Sequence, residues 1–323
     1  MSLNPSSNGT PGNPGNPGNP LSALVTDPVP MRRETPWQQG LREFLRSKSA
    51  ILGLAMLVVL IFAALAAPWI SPQNPYDLGQ LNILDSRLAP GTENVDGHYT
   101  YWLGTDGQGR DLLSGIIYGL RISLSVGVGS ALIAGILGTI LGLVAAYAGG
   151  RVDATLMRLV DLLLSFPSIL VALMILAYVG KGIGNVVLTL VVLEWAYFAR
   201  TARGQALVES RREYVEAARC QAIPNWRIVL GHILPNCLPS LIVVGTLQVA
   251  RAITLEATLS FLGLGVPVTE PSLGLLIFNG YQTMLSGEYW ISVYPGLALL
   301  VTVVAINLVG DRLRDVFNPR LQK

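Results

Sequence analysis

The sequence predicts an all-α membrane protein with six transmembrane helices. Hydrophobic residues make up 51% of the 323-residue chain and charged residues only 13%, against about 25% charged residues in an average soluble protein. The mean hydropathy is +0.50. A helix that crosses a bilayer needs about 20 apolar residues, and six windows satisfy or approach that length: 49–70, 122–150, 162–180, 182–199, 233–250 and 289–310. One buried helix of a soluble protein would explain one such window, but not six.

The basic residues predict the orientation of these spans. Lys and Arg accumulate in cytoplasmic segments close to membrane helices. With six spans, the two termini and the connections 150–158 and 200–232 share one side, and they hold most of the basic residues. The other side retains four of them: Arg87, Arg110, Arg121 and Lys181. We therefore expect both termini in the cytoplasm.

The first 48 residues are expected to precede the membrane. Residues 1–34 are predicted to be a disordered cytoplasmic tail, because the triplet repeat at 11–19 has no apolar side chain that could bury a core. The pattern at 35–48 favours a short helix on the membrane surface, since its apolar residues share one helical face with basic residues nearby. A solvated lead-in to the first span fits these residues equally well.

The first span is predicted at 49–70, followed by an extracytoplasmic loop at 71–121. Gly104, Gly107 and Gly109 make the second half of this loop rich in turns. Their spacing matches neither of the glycine patterns that bind phosphates. We interpret them as turn residues and not as a nucleotide site.

The remaining five spans are predicted within 122–311, with a cytoplasmic C-terminus at 312–323. Small residues of the second span, such as Gly138 and Gly142, predict close packing against another helix. Pro167 is expected to kink the third span. The Pro and Gly residues of 257–290 predict an outer loop that partly re-enters the protein surface.

Two ionisable residues fall inside the predicted spans, Glu194 and Arg251. A charge inside the bilayer is costly and suggests a function, so both are weak candidates for a substrate pathway. Both also lie within reach of an interface, where an interfacial or paired structural role is the favoured interpretation. A proton relay is not supported, because no chain of acidic or His residues runs through the spans.

The polar segment 209–236 contrasts with the apolar chain around it. Tyr214, Ala217 and Ala218 lie on one face of a predicted helix with charged residues on both sides. Small side chains would let a partner groove approach closely, and the charges would set its orientation. Pro224 is expected to end this helix, and a second short helix is predicted from about Asn225 to Leu234. These patterns alone leave a docking surface and an ordinary cytoplasmic loop equally open.

Six stretches in order resemble one known family. Glu216-Ala217-Ala218 followed by Ile233-Leu234-Pro235 resembles the EAA loop of ABC-importer permeases. Five more stretches are similar to the C-type subunits of dipeptide/oligopeptide permeases: LGTDGQGRD at 103–111, YGLRISL at 118–124, FARTARGQAL at 198–207, EATLSFLGLG at 256–265 and NLVGDRLRDVFNPR at 307–320. Together they cover the chain from about residue 40 to its end.

This resemblance implies a type I ABC importer permease fold, with 122–311 as the permease core. It also implies a cytoplasmic coupling loop at 200–235, whose coupling helix is seated in a cleft of a separate ATP-binding subunit. The residues implied in ATPase coupling are Tyr214, Glu216, Ala217, Ala218, Ala222 and Pro235. The family has a glycine where this chain has Ala222, and we expect Ile223-Pro224 to make the turn instead.

The resemblance further implies a pore subunit, multi-pass in the cell inner membrane, of an ATP-driven importer for di-/oligopeptides or similar small solutes. The implied partners are a second homologous permease, two ATP-binding subunits and an extracytoplasmic solute-binding protein. The chain should not hydrolyse ATP itself, because Gly180-Lys181-Gly182 lacks the spacing and the Ser/Thr of a phosphate-binding loop. No metal, cofactor or nucleic acid is expected, since its two His and two Cys are not at ligand spacing.

Three alternatives remain open at this level. Glutathione and nickel permeases belong to the same family and would share these motifs. A stand-alone secondary transporter or channel would need ion-coupling residues in the spans, where they are scarce. A membrane enzyme would show clustered His, Asp or Ser near an interface, whereas His98 and His232 are far apart in the sequence.

Overall fold

The computed structural model describes residues 42–267 and 269–317, and its regular structure is almost entirely helical. The predicted tail 1–34 and residues 35–41 of the predicted surface helix lie outside the described residues; 42–46 are helical. The numbered helices are α1 Lys48–Leu65, α2 Ala67–Ile70, α3 Leu112–Ala148, α4 Gly150–Ser165, α5 Ser168–Val179, α6 Ile183–Glu209, α7 Glu213–Cys220, α8 Asn225–Ile228, α9 Leu234–Phe261, α10 Leu273–Thr283 and α11 Trp290–Val316.

Five helices of the described chain are long and apolar enough to cross a membrane: α1, α3, α6, α8 with α9, and α11. A sixth span requires α4 and α5 together, which are bent by 93°. The predicted third span at 162–180 is therefore not one continuous helix. Phe166 is extended, with φ −92° and ψ 145°, because the ring of the following Pro167 disfavours a helical conformation at the preceding residue. The expected kink is a complete break.

Helix α3 is longer than predicted, with 37 residues. It begins ten residues before the predicted second span, so the outer loop ends near Asp111 and not at residue 121. The Asp111 carboxylate caps the helix by accepting hydrogen bonds from the N–H and the hydroxyl of Ser114, at 2.8 and 2.6 Å. At the other end, Gly149 and Gly150 have φ of 60° and 52°, which lets α4 follow α3 without a loop.

The core is built on the close approach of α3 and α6, the most extensive helix pair. A Cβ at Gly138 would collide with the Trp195 carbonyl, and one at Gly142 would collide with the Ala199 carbonyl. This confirms the close packing that the small residues predict. Helices α9 and α11 complete the core, and α1 packs against α11.

The outer loop is held by turns and one short hairpin. Strands β1 Thr92–Glu93 and β2 Thr100–Tyr101 pair antiparallel. The Asp106 carboxylate accepts the N–H groups of Gln108 and Arg110, at 2.8 and 3.0 Å, which supports the interpretation of this glycine-rich stretch as turns. Burial raises the pKa of Asp106.

The predicted outer loop 257–290 contains helix α10, whose first residues pack into the helical core and not on the protein surface. Ser272 caps helix α10, and its hydroxyl accepts the N–H of Leu275 at 3.2 Å. Leu273 and Leu276 are buried in a cluster with residues of α3 and α9. Helix α9 reaches Phe261, eleven residues beyond the predicted end of the fifth span at 250.

Candidate coupling segment and polar groups of the spans

Helix α7 has one buried side and one exposed side. Val215 and Ala218 are 0% and 4% exposed, whereas Glu216, Ala217 and Cys220 are exposed. The buried pair joins a hydrophobic cluster that also holds residues of α3, α4, α6 and α9: Leu143, Val160, Ala202, Ala206 and Cys237. The helix is therefore anchored by its apolar side, and its acidic and small residues remain available to a partner.

Ala222 makes the turn after α7 in a left-handed conformation, with φ of 56°. Its N–H donates to the Arg219 carbonyl at 2.9 Å, and the Ile223 N–H donates to the Ala218 carbonyl at 3.2 Å. These two bonds form a Schellman motif, which usually has glycine at the left-handed position. The expectation that Ile223-Pro224 replaces the family glycine is wrong: Ala222 adopts the glycine's conformation and bears the strain of its Cβ.

Tyr214 ties α7 to the two long helices beside it. Its hydroxyl donates to Glu209 Oε2 at the end of α6, at 2.6 Å, and accepts from Asn236 Nδ2 of α9 at 3.2 Å. Burial and the Glu209 carboxylate raise the pKa of Tyr214 to about 12. The phenol therefore remains a neutral donor at physiological pH.

The predicted second short helix is not separate from the fifth span. Helix α8 continues through a π-helical turn, Val229–Ile233, directly into α9. Proline has no backbone N–H, and the first turn of a helix tolerates this because N–H groups there have no partner within the helix. Pro235 occupies such a position, as the second residue of α9, where the π turn ends. The part of the segment from Asn225 onward is thus the start of a long helix and not a separate short helix.

The predicted coupling loop, 200–235, is also more helical than expected. Residues up to Glu209 belong to α6, so only 210–224 separates α6 from α8. Within it, Tyr214, Glu216 and Ala217 are exposed and Ala218 is buried. Ala218 therefore anchors α7 to the cluster beneath it, and Ala222 after α7 and Pro235 in α9 are exposed.

One exposed aromatic on this surface was not singled out from the sequence. Trp226 of α8 is 61% exposed, and the Arg227 guanidinium lies 5.1 Å from its ring. Trp and Arg are the residue types that dominate binding energy in protein interfaces. The signal was present in the sequence, because a Trp in a polar, non-spanning segment has no apolar core to enter.

Two ion pairs fix α4 to α6 immediately before the coupling segment. Arg203 pairs with both carboxylate oxygens of Asp153, the NH2 contact being 2.6 Å. Arg200 pairs with Asp161 at 2.5 Å. The two arginines are three residues apart on α6 and face the same side, so α4 is held along one stripe of that helix.

Glu194 and Arg251 do not form an ion pair. Arg251 donates to the Ser168 hydroxyl at 3.1 Å and lies 4.5 Å from the Tyr197 ring centroid. Glu194 is 1% exposed, and neither of its carboxylate oxygens hydrogen-bonds to another described group. Arg251 sits beside the break between α4 and α5, and neither residue lines the two grooves described below.

Glu256 is a buried acidic residue that sequence reasoning missed. It is 0% exposed, and its two carboxylate oxygens accept hydrogen bonds from the hydroxyls of Ser123 and Ser260, each at 2.8 Å. The cap residue Ser272 also lies beside the Glu256 carboxylate. This cluster joins α3, α9 and the start of α10.

Two open grooves run beside α3 and α9. One, of about 520 Å³, also touches α1 and α11, and the other, of about 530 Å³, lies further along α3. They share Val128, Thr246 and Val249 and therefore form one continuous surface. Most of its side chains are apolar; Glu194 and Arg251 do not line it.

Two family models match this chain. The model described as binding-protein-dependent transport system inner membrane component matches residues 138–323, and the N-terminal TM domain of oligopeptide transport permease C matches 35–90. Among solved structures, the MetNI methionine ABC transporter in inward-facing conformations has a TM-score of 0.52 and 21% identity, covering 62% of this chain and 95% of that chain. This likeness supports the fold.

Curated relatives match most of the chain. Dipeptide transport system permease protein DppC of Escherichia coli is 41% identical, covering 93% of this chain and 97% of the relative. Di/tripeptide transport system permease protein DppC of Pseudomonas aeruginosa is 36% identical, with 89% and 93% covered. Glutathione transport system permease protein GsiD of Pectobacterium atrosepticum is 38% identical, with 89% and 92% covered. The chain belongs to the family of inner-membrane components of binding-protein-dependent transport systems.

Proposed function

We propose that this permease imports di- and oligopeptides or similar small solutes, and that α7 is its docking site for an ATP-binding subunit. The observation that carries the coupling role is the two-sided helix α7, whose Val215 and Ala218 are buried while Glu216 and Ala217 are exposed. A short helix anchored in this way presents a rigid surface at low entropic cost. Tyr214, Ala222 and Pro235 hold its geometry.

Motion of α7 would reach the spans through packed contacts. Val215 and Ala218 share a cluster with residues of α6 and α9, and the Tyr214 hydroxyl bridges Glu209 and Asn236. Closure of the ATP-binding subunits would move α7 as a body and shift the population between outward- and inward-facing states.

The remaining partners follow from the family. A second homologous permease would complete the pathway, with the groove of α3 and α9 facing it. A solute-binding protein would deliver the solute to the outer loop, and both termini would lie in the cytoplasm with the two ATP-binding subunits. The chain itself would hydrolyse no ATP. Glu194 and Arg251 are proposed to act structurally, since neither lines the groove.

Affinity purification of this chain, co-expressed with candidate ATP-binding subunits, tests the coupling role. Reversing the exposed charge with Glu216→Lys should lower the retained ATP-binding subunit at least about tenfold, because a like charge at a docking surface opposes binding. Asp96→Lys, an equally exposed charge reversal in the outer loop, is the matched control. Equal retention in both variants, with unchanged solute uptake, would contradict the proposal.

The solute is tested through the binding protein. The relatives' names include dipeptide, di/tripeptide and glutathione permeases, which supports a peptide-like solute over nickel. Mass spectrometry of the ligand that copurifies with the cognate binding protein should reveal peptides. Glutathione or nickel in its place would move the chain to another branch of the family, and uptake without ATP-binding subunits would indicate a secondary transporter.

A further inference from the structure

Arg121 is an exposed cation on an otherwise apolar groove wall. It lies on α3 one turn before Ser125, and both line the groove of about 520 Å³ together with Leu124, Val128 and Val249. Its side chain is exposed, and within residues 42–267 and 269–317 it forms no hydrogen bond or ion pair within 4 Å. Arg121 acts electrostatically on the Tyr76 phenol, as does Glu270.

An arginine in an apolar setting needs an anionic partner. Its guanidinium cannot lose its charge, and its planar fork matches a carboxylate through two parallel hydrogen bonds. No described carboxylate forms an ion pair with Arg121, although Glu270 acts on the same Tyr76 phenol, so its guanidinium is open to an anion that enters the groove. Arg87 and Arg203 show the contrast: they pair with Glu288 and Asp153 of this chain.

The hydroxyls of Ser125 and Thr246 line the same groove and, unlike Arg121, act there as hydrogen-bond acceptors. Ser125 Oγ donates to the Ile122 carbonyl at 2.9 Å, and Thr246 Oγ1 donates to the Val243 carbonyl at 2.8 Å. Each hydroxyl has thereby used its single proton and presents only acceptor lone pairs to the groove. The groove thus offers one charged donor followed by two acceptors, between apolar walls.

We infer that Arg121 binds the terminal carboxylate of the solute in passage, while Ser125 and Thr246 accept its N–H groups. This rests on the proposed import of peptide-like solutes. A peptide carries both a carboxylate and N–H donors, and apolar walls would accept its varied side chains. A fatty acid supplies a carboxylate but no N–H donor for the two acceptors, and a phospholipid headgroup is distinguished by the test below.

A photoreactive peptide tests direct contact. The complete complex of both permeases and both ATP-binding subunits, in nanodiscs and without binding protein, is irradiated with leucyl-p-benzoylphenylalanine or with its C-terminal amide. The free acid should label this chain about tenfold more than the amide, because only the acid forms the charge-assisted pair. Arg121→Gln should reduce acid labelling to the level of the amide, and Arg121→Lys should restore part of it.

Lys181→Gln is the matched control, since it removes an exposed charge from the same predicted side and outside the groove. Three results would overturn the inference. The first is acid labelling of Arg121→Gln equal to that of the unaltered chain. The second is loss of the second permease from that variant, which would assign Arg121 to a subunit contact, and the third is labelling that varies with anionic lipid content, which would assign it to a lipid headgroup.

Uptake separates this inference from the proposed function. Proteoliposomes with the binding protein are supplied with radiolabelled leucyl-leucine and ATP. If the unaltered complex imports no peptide, the proposed solute is wrong. If it imports peptide and Arg121→Gln imports it equally fast, only the role of Arg121 is wrong.

Discussion

Two polar junctions hold α9, one near each end, and they differ in exposure. At the α7 junction, the half-exposed Tyr214 phenol bridges Glu209 and Asn236. At the α10 junction, the fully buried Glu256 gathers Ser123 and Ser260. Water can replace the partners of the first junction when they separate, but it cannot reach the second. The helices at the α7 junction can therefore separate at little cost in free energy, whereas those at the α10 junction should stay together.

The buried junction should give the largest effect on stability. Glu256→Ala leaves the hydroxyls of Ser123 and Ser260 buried without their acceptor and opens a cavity, so we expect a loss of about 3 kcal/mol in the free energy of unfolding. Thermal unfolding of the purified permease in detergent measures it. Glu256→Gln, which retains one acceptor oxygen, should lose less. A similar melting temperature for the Ala variant and the unaltered chain would remove the contrast between the junctions.

The turn beside the exposed junction should gain stability by a glycine. Ala222→Gly relieves the left-handed strain and should raise the free energy of unfolding by about 1 kcal/mol. The same substitution in the middle of α7, Ala217→Gly, should lower it by about 0.5 to 1 kcal/mol, because glycine loses more backbone entropy in a helix. Melting temperatures that move in the same direction for both variants would argue against strain at Ala222.

The exposed junction itself should give the smallest change in stability. Tyr214→Phe removes two hydrogen bonds that water can replace, so the free energy of unfolding should fall by only about 0.5 kcal/mol. If the phenol transmits motion, the ratio of solute imported to ATP hydrolysed should fall far more than the stability. Tyr178→Phe, at a side chain that is 93% exposed, is the control. An unchanged ratio would mean that packing alone couples α7 to the spans.

The sequence predicted the apolar spans well, because hydropathy alone determines which segments can lie in a bilayer. It placed the end of the fifth span too early, since Arg251 and Glu256 interrupt the apolar window while the helix continues. The acceptor role of Glu256 could not be predicted, because Ser123 is 133 residues away in the chain. Such clusters are formed by tertiary packing and leave no local pattern.

The coupling segment shows the same limit at a single turn. Local turn chemistry favours Pro224 over an alanine as the place where the chain bends. Tertiary anchoring overrides it, because Val215 on one side and Ile228 on the other are both buried in one cluster. Of the four residues between these two fixed helices, Ala222 takes the left-handed conformation although it is not glycine.

The unbroken path from α8 into α9 has a mechanical consequence. Asn225–Phe261 is 37 residues long, which corresponds to a rod of about 55 Å. The first half of this helix is more flexible than the second. It contains the π turn at Val229–Ile233 and the internal Pro239, which weaken the backbone hydrogen bonds of the helix there. A tilt of about 5° beyond Pro239 would displace Glu256, about 25 Å further along the helix, by roughly 2 Å. A force applied to α8 at one face of the membrane would therefore first bend the helix at the π turn and Pro239. Only further movement would displace the Glu256 end at the other face.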